Sequence, residues 1–173
     1  MTAMTFRAVI CAVLHVVVAA GFAVAGAPIA AADPSGFPDL SGLTDVTSSH
    51  QLRAPHDPST VDGFVFTADG YACSGGATMV SCGGVLPGMT GVPVSVGYET
   101  GPCEVDYVSG EPDLARMQRG RDACRGPATN PVLSPGQKVT YGPSVCGVLA
   151  GGVTACTNGV HGFVLQPSGS WSF

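Results

Sequence analysis

The chain has 173 residues with 7 basic against 12 acidic side chains, a formal net charge of −5, and carries 25 glycines, 14 prolines and 7 cysteines. An acidic chain of this kind is a poor general binder of nucleic acid, whose phosphates demand clustered Lys and Arg. The length bounds the protein to one domain once an N-terminal leader is set aside.

Residues 1–32 have the form of a secretory signal. Arg7 is the only charge before Asp33, an apolar run extends from Ala8 to about Gly26, and Ala30-Ala31-Ala32 offers a small-x-small cleavage site ahead of Asp33-Pro34. The run is long enough that a retained membrane anchor is the alternative. The Ala-rich end and the polar stretch beginning at Asp33 favour cleavage, which leaves no membrane span. Cys11 opens the apolar run, where a lipidation cysteine would close it, and reads as a passenger. From Asp33 to Thr60, Pro34, Pro38, Pro55 and Pro58 stand among Ser, Asp, Thr and Gly without a sustained period. That stretch reads as a flexible tail or linker, with the domain opening at Val61.

From Val61 to Phe173 short strands alternate with turn signals, the pattern of an all-β fold: a small disulfide-stabilised antiparallel meander closing toward a barrel or sandwich. Phe64 and Phe66 share one face, Ala68-Asp69-Gly70 turns, and Tyr71 to Cys73 returns. A corner at Ala77-Thr78 then sets Cys73 opposite Cys82. Val94, Val96 and Tyr98 alternate on a second strand, and Cys103 to Val108 form a third, closed by Ser109-Gly110. Glu111 to Arg125 has acids first and arginines last, as a helix dipole favours, but Gly120 and the lack of an apolar stripe favour a strand with Ala115 and Met117 on one face and Arg116 and Gln118 on the other. Ser134-Pro135-Gly136-Gln137 is a type II turn that launches Lys138 to Tyr141.

The densest signals lie between Cys146 and Phe173. The turn Ala150-Gly151-Gly152 sets Cys146 across from Cys156, and Asn158-Gly159 suits a two-residue type I′ hairpin that pairs Thr157 with Val160 and Thr154 with Phe163. Two short echoes accompany this unit: Gly63 to Gly70 resembles Gly162 to Gly169, and Cys82 to Gly88 resembles Cys146 to Gly152. They express a shared strand-turn grammar.

Six cysteines lie beyond the leader, and an even number in an exported chain points to disulfides. Sequential pairing of Cys73 with Cys82, Cys103 with Cys124, and Cys146 with Cys156 fits the two hairpins, each bridge stabilising by about 2.5 to 3.5 kcal/mol. No C-x-x-C pair is present, so neither a metal nor another cofactor is expected. His50 and His56, with Asp57 adjacent, fall in the Pro-rich stretch and read as solvated. His161, beside the Asn-Gly turn, could present its ring at a sheet edge. Arg116, Arg119, Arg121 and Arg125 gather most of the basic charge, forming either a solvated edge strand or a contact surface for an anionic envelope glycan or lipid, or for another envelope protein. Trp171 is either a stacking platform for sugar or the anchor of the last strand. Neither a G-x-S-x-G elbow nor a paired-carboxylate arrangement is present.

The segment from Leu133 onward, with P-G-Q-K-V-T-Y-G, C-G-V, V-T-A-C and H-G-F-V-L-Q-P-S-G-S-W-S-F, resembles small exported proteins of mycobacteria and related actinobacteria, as does the Ala-Ala-Asp-Pro junction. Cys146, Cys156, His161, Gly162 and Phe163 fall within it. The resemblance implies export and an envelope or extracellular location; it carries no assigned activity and gives no residue a catalytic role. The function expected is a non-enzymatic, secreted or cell-envelope binding or structural module. The alternative is a small secreted hydrolase using His161, which needs a nucleophile and an acid converging on that ring.

Overall fold

The computed structural model describes residues 36–99, 101–124 and 128–173. The leader, Arg7 and Arg125 lie outside the described residues. Within them thirteen strands, β1 to β13 in chain order, form two sheets. The first, sheet A, has the order β1 (Thr44–Asp45), β9 (Gln137–Tyr141), β10 (Ser144–Leu149), β11 (Val153–Thr157), β12 (Gly162–Leu165) and β13 (Trp171–Ser172). Sheet B runs β2 (Gln51–Ala54), β3 (Asp57–Ala68), β4 (Tyr71–Gly75), β5 (Val80–Gly84), β7 (Cys103–Gly110), β8 (Ala115–Asp122) and β6 (Val94–Glu99). The two pack face to face as a sandwich, not a closed barrel. Most pairings are the antiparallel neighbours expected of a meander, but β1 joins β9 and β6 joins β8 in parallel.

The three disulfides join Cys73 to Cys82, Cys103 to Cys124 and Cys146 to Cys156, the expected pairs. Two of them link residues directly opposed on neighbouring strands, with Cα atoms 4.1 Å apart, the close spacing of a non-hydrogen-bonded pair. Register extends each bridge into a row. In sheet B it runs Phe66, Cys73, Cys82, Val108; in sheet A it runs Val139, Cys146, Cys156, Phe163. All eight residues are buried in one cluster between the sheets. The structural repeat is therefore β3–β4–β5 against β9–β10–β11, equating Cys73 with Cys146 and Cys82 with Cys156. The sequence echo pairs Cys82 with Cys146 instead, because it matches local strand-turn chemistry and not position in the meander.

Two expectations are corrected. The β11–β12 hairpin pairs Thr157 with Gly162 and Cys156 with Phe163, a register two residues longer than a two-residue turn allows. The Asn158 side chain is the cause: its Oδ1 accepts the N–H groups of Val160 and His161, while the Asn158 backbone N–H donates to the His161 carbonyl, stabilising a four-residue loop. A shift of two leaves every side chain on its expected face.

The second correction concerns residues 33–60, expected as a flexible tail. The described part, from residue 36, is built into both sheets, and the boundary expected at Val61 falls inside β3. Sheet A is apolar on its outer face as well as its inner one, through Val145, Leu149, Val153, Ala155 and Val164. Phe37, Leu40 and Leu43 cover it, and Gly147 is needed there because a Cβ would collide with the Leu40 and Leu43 side chains. Trp171 belongs to the same cluster and stacks near Phe173, so it anchors the strand end. Polar ties complete the strap. Lys138 Nζ donates to the carbonyls of Leu40 and Ser41, both at 3.1 Å, and the Thr140 N–H donates to Thr47 Oγ1 at 2.8 Å. His50, expected in solvent, is only 5% exposed; its ring nitrogens meet the carbonyls of Val46 and Val132.

Leu40→Ala is expected to lower stability by about 2–3 kcal/mol through the cavity it leaves. Urea denaturation reads the loss, and limited proteolysis should cut within residues 36–50 before any other strand opens.

Candidate functional site

Alternation along sheet B turns one set of side chains to the core between the sheets and another to its outer face. Inward go Tyr71, Cys73, Val80, Cys82 and Val108; outward go Ser74, Ser81, Tyr107, Ser109 and Arg116, of which Tyr107 and Arg116 are exposed, Ser74 is half-buried, and Ser81 and Ser109 are buried. Register brings four of the outward residues into one row across neighbouring strands: Ser74 faces Ser81, Ser81 faces Ser109, and Ser109 faces Arg116. The Ser74 and Ser81 hydroxyls lie 3.2 Å apart, and Ser109 Oγ donates to Glu111 Oε1 at 3.0 Å. Arg116 Nε stands 3.9 Å from the same carboxylate oxygen with half of its side chain in solvent. In the next row Gly83, Tyr107 and Gln118 are aligned, and Tyr107 is 37% exposed.

This arrangement disperses the expected arginine cluster. Arg116 points outward, whereas Arg119 sits on the opposite face of β8. Arg121 is exposed, but its guanidinium donates to the carbonyls of Gly101 and Pro102 at 3.1 and 2.8 Å. Arg119 Nε lies 3.5 Å from Asp106 Oδ1, its partner across β7 and β8. Asp106 is buried, and its other oxygen accepts the Leu86 N–H at 3.3 Å. Neither Asp106 Oδ1 nor Arg119 Nε forms a hydrogen bond with the described residues, so the two attract as charges without hydrogen-bond geometry. Burial raises the Asp106 carboxyl above its ordinary value; the Leu86 N–H and the Arg119 charge only partly oppose this.

His161 is half-buried at the far end of β12, where its Nδ1 donates to the Phe173 carbonyl at 3.0 Å. The backbones of Gly162 and Phe173 exchange two hydrogen bonds beside it. The ring thus closes the C-terminal strand onto the sheet. His50 and His56 are not brought together: the first is buried in the strap and the second is exposed at a hairpin tip. Among the described residues no group of three His, Cys, Asp or Glu side chains is placed to hold a metal, and no helix is long and apolar enough to cross a membrane.

The serine row and Asp106 were not singled out by sequence reasoning. Half of the row was legible, since pairing Cys73 with Cys82 also pairs Ser74 with Ser81. The other half depends on β5 meeting β7 across the intervening β6, a long-range choice with no local signal. Comparison with protein-family profiles, curated proteins and solved structures finds no match to this chain.

A carboxyl raised in the folded state contributes stability that is fully present below its unfolded pKa of about 3.9 and is lost as pH rises through the higher folded value. Asp106→Asn removes that loss. The stability of the variant relative to the parent should therefore increase as pH rises from about 3 to 7, read by urea midpoints at each pH.

Proposed function

We propose that this protein is a non-enzymatic binding module that works outside the cytoplasm, exported by its N-terminal leader and folded where disulfides form. Three bridges in a small all-β domain support an oxidising compartment. The leader pattern and the resemblance of its C-terminal half to actinobacterial exported proteins support export. The single observation that carries the binding role is the exposed pair Tyr107 and Arg116 on the outer face of sheet B, with the half-buried Ser74 in the same cross-strand row as Arg116.

Such a face suits a polyhydroxylated envelope polymer bearing carboxylate, sulfate or phosphate groups. The tyrosine ring covers a sugar face, the Tyr107 and Ser74 hydroxyls exchange hydrogen bonds with sugar hydroxyls, and Arg116 meets the anion. The cross-linked strands beneath hold these groups in place before contact, which lowers the ordering cost of a weak, extended interface. The hydrolase alternative draws no support from His161, whose Nδ1 is engaged by the Phe173 carbonyl.

The test is binding of the oxidised protein to acidic envelope polysaccharides at low and high salt, beside Arg116→Ala and Tyr107→Ala. Each variant should weaken binding by roughly fivefold to tenfold, and salt should weaken the parent more than Arg116→Ala. Affinity unchanged in both variants would exclude this face as the binding surface.

A further inference from the structure

The hairpin turns of the two sheets collect at one end of the sandwich and enclose a cleft of about 270 Å³. It is lined by Tyr71, the Val85-Leu86-Pro87 segment, Gly152, Pro167 and Asp69. Asp69 is the only charged side chain among the described residues that line it. We propose that this cleft binds a small apolar group carrying a single cation, an alkyl ammonium or alkyl guanidinium, with Asp69 as the counter-charge.

Four observations support this. The Asp69 carboxylate has no hydrogen-bond or ion-pair partner among the described residues, whereas Asp39, Asp45, Asp57 and Asp106 are all engaged. It lines the cleft at its exposed turn, beside Tyr71, whose phenol is raised above its ordinary value chiefly by burial, against the hydrogen bond to Thr154, with the Asp69 charge adding to the rise. That phenol is spent inside the core, donating to Thr154 Oγ1 at 2.7 Å, so Tyr71 offers the cleft no polar group. Val85, 68% exposed, is an apolar side chain held in water at the rim, where a ligand's stem would cover it.

The walls are set before any ligand arrives. Leu86 is pinned by its N–H to Asp106, Ser170 Oγ donates to the Pro87 carbonyl at 2.6 Å, and the Ser170 N–H donates to the Gly88 carbonyl at 2.9 Å. Gly88 lies against the Gln166 carbonyl, where a Cβ has no room. The opposite wall is shaped by Gln166 Nε2 donating to the Gly169 carbonyl at 3.0 Å. Asp69 opens the two-residue turn between Ala68 and Tyr71 with φ of 45°, which sets the direction in which its Cα–Cβ bond leaves the turn. A preformed apolar slot with one carboxylate selects a cation on a short stem, and its volume, under the range of about 300–1,000 Å³ for drug-sized ligands, suits one side chain or head group. This reading does not depend on the outer face of sheet B.

The ligand's cation is either free, on a small amine, or carried by a lysine or arginine side chain of a polypeptide. Backbone amide shifts of the isotopically labelled oxidised protein are followed during titration with n-butylammonium, n-butylguanidinium, a short glycine-flanked lysine peptide, and n-butanol as the uncharged control. Shifts centred on Asp69, Leu86 and Gly152 are expected with the cations, with n-butanol binding at least about fivefold more weakly. Tighter binding of the peptide than of n-butylammonium assigns the site to polypeptide side chains, and the reverse assigns it to small amines. Asp69→Asn is the decisive variant, because asparagine accepts the left-handed conformation and keeps the turn. It should weaken the cations by about tenfold and leave n-butanol unchanged. Val85→Ser, on the exposed rim, should weaken all of them. Equal binding of n-butanol and n-butylammonium, undiminished cation binding in Asp69→Asn, or shifts located elsewhere would each overturn the proposal.

Discussion

Two buried disulfides facing each other between the sheets are the constraint on which the rest of this structure depends. Each joins directly opposed residues of a hairpin, so each holds a register as well as a distance. A one-residue slip in either hairpin would reverse the faces of its strands and take Phe66 or Phe163 out of the core between the sheets. The domain has few large apolar side chains with which to oppose chain entropy, and short covalent loops remove part of that entropy from the unfolded chain. The hydrophobic rows then assemble on a frame already in register.

A second constraint comes from the composition of β10 to β12. Their side chains are apolar on both faces, and a sheet of this kind must be covered twice. Sheet B covers the inner face and the N-terminal strap covers the outer one through Leu40 and its neighbours. Sheet B, in contrast, leaves a tyrosine and an arginine exposed on its outer face, Tyr107 and Arg116. One sheet is covered on both faces, and the other keeps part of its outer face exposed.

The ends of the sandwich differ in the same way. At one, Asn158, His161 and Phe173 tie the chain together by hydrogen bonds to backbone. At the other, the turns after β3, β10 and β12 meet the segment after β5 and leave a cleft, with Asp106 and Ser170 fixing its wall. Asp106 carries a cost there, since a buried carboxylate with one imperfectly placed counter-charge is destabilising to ionise. Its attachment to Leu86 shows what that cost accompanies: a loop held against the sheet by a bond to its backbone.

The amino-acid sequence by itself determined what is local. Alternation along Phe64 and Phe66, the Asp69-Gly70 and Pro135-Gly136 turns, and the opposition of Cys73 to Cys82 and of Cys146 to Cys156 arise from dihedral preference and spacing over a few residues. Even the strand at 115–122, where helix and strand compete, was legible from its faces. Tertiary structure decided what depends on distant partners. Residues 36–50 carry no period of their own, and their order comes from contacts such as Lys138 with Leu40 and Thr47 with Thr140, more than ninety residues apart. The four-residue loop at Asn158 was set by one side chain that accepts two loop N–H groups and donates to the Thr78 carbonyl, which outweighed the preference of the Asn-Gly pair for a tighter turn. The arginines, close along the chain, were divided because a strand sends alternate residues to opposite faces, and only the packing of the sheets determines which face meets water.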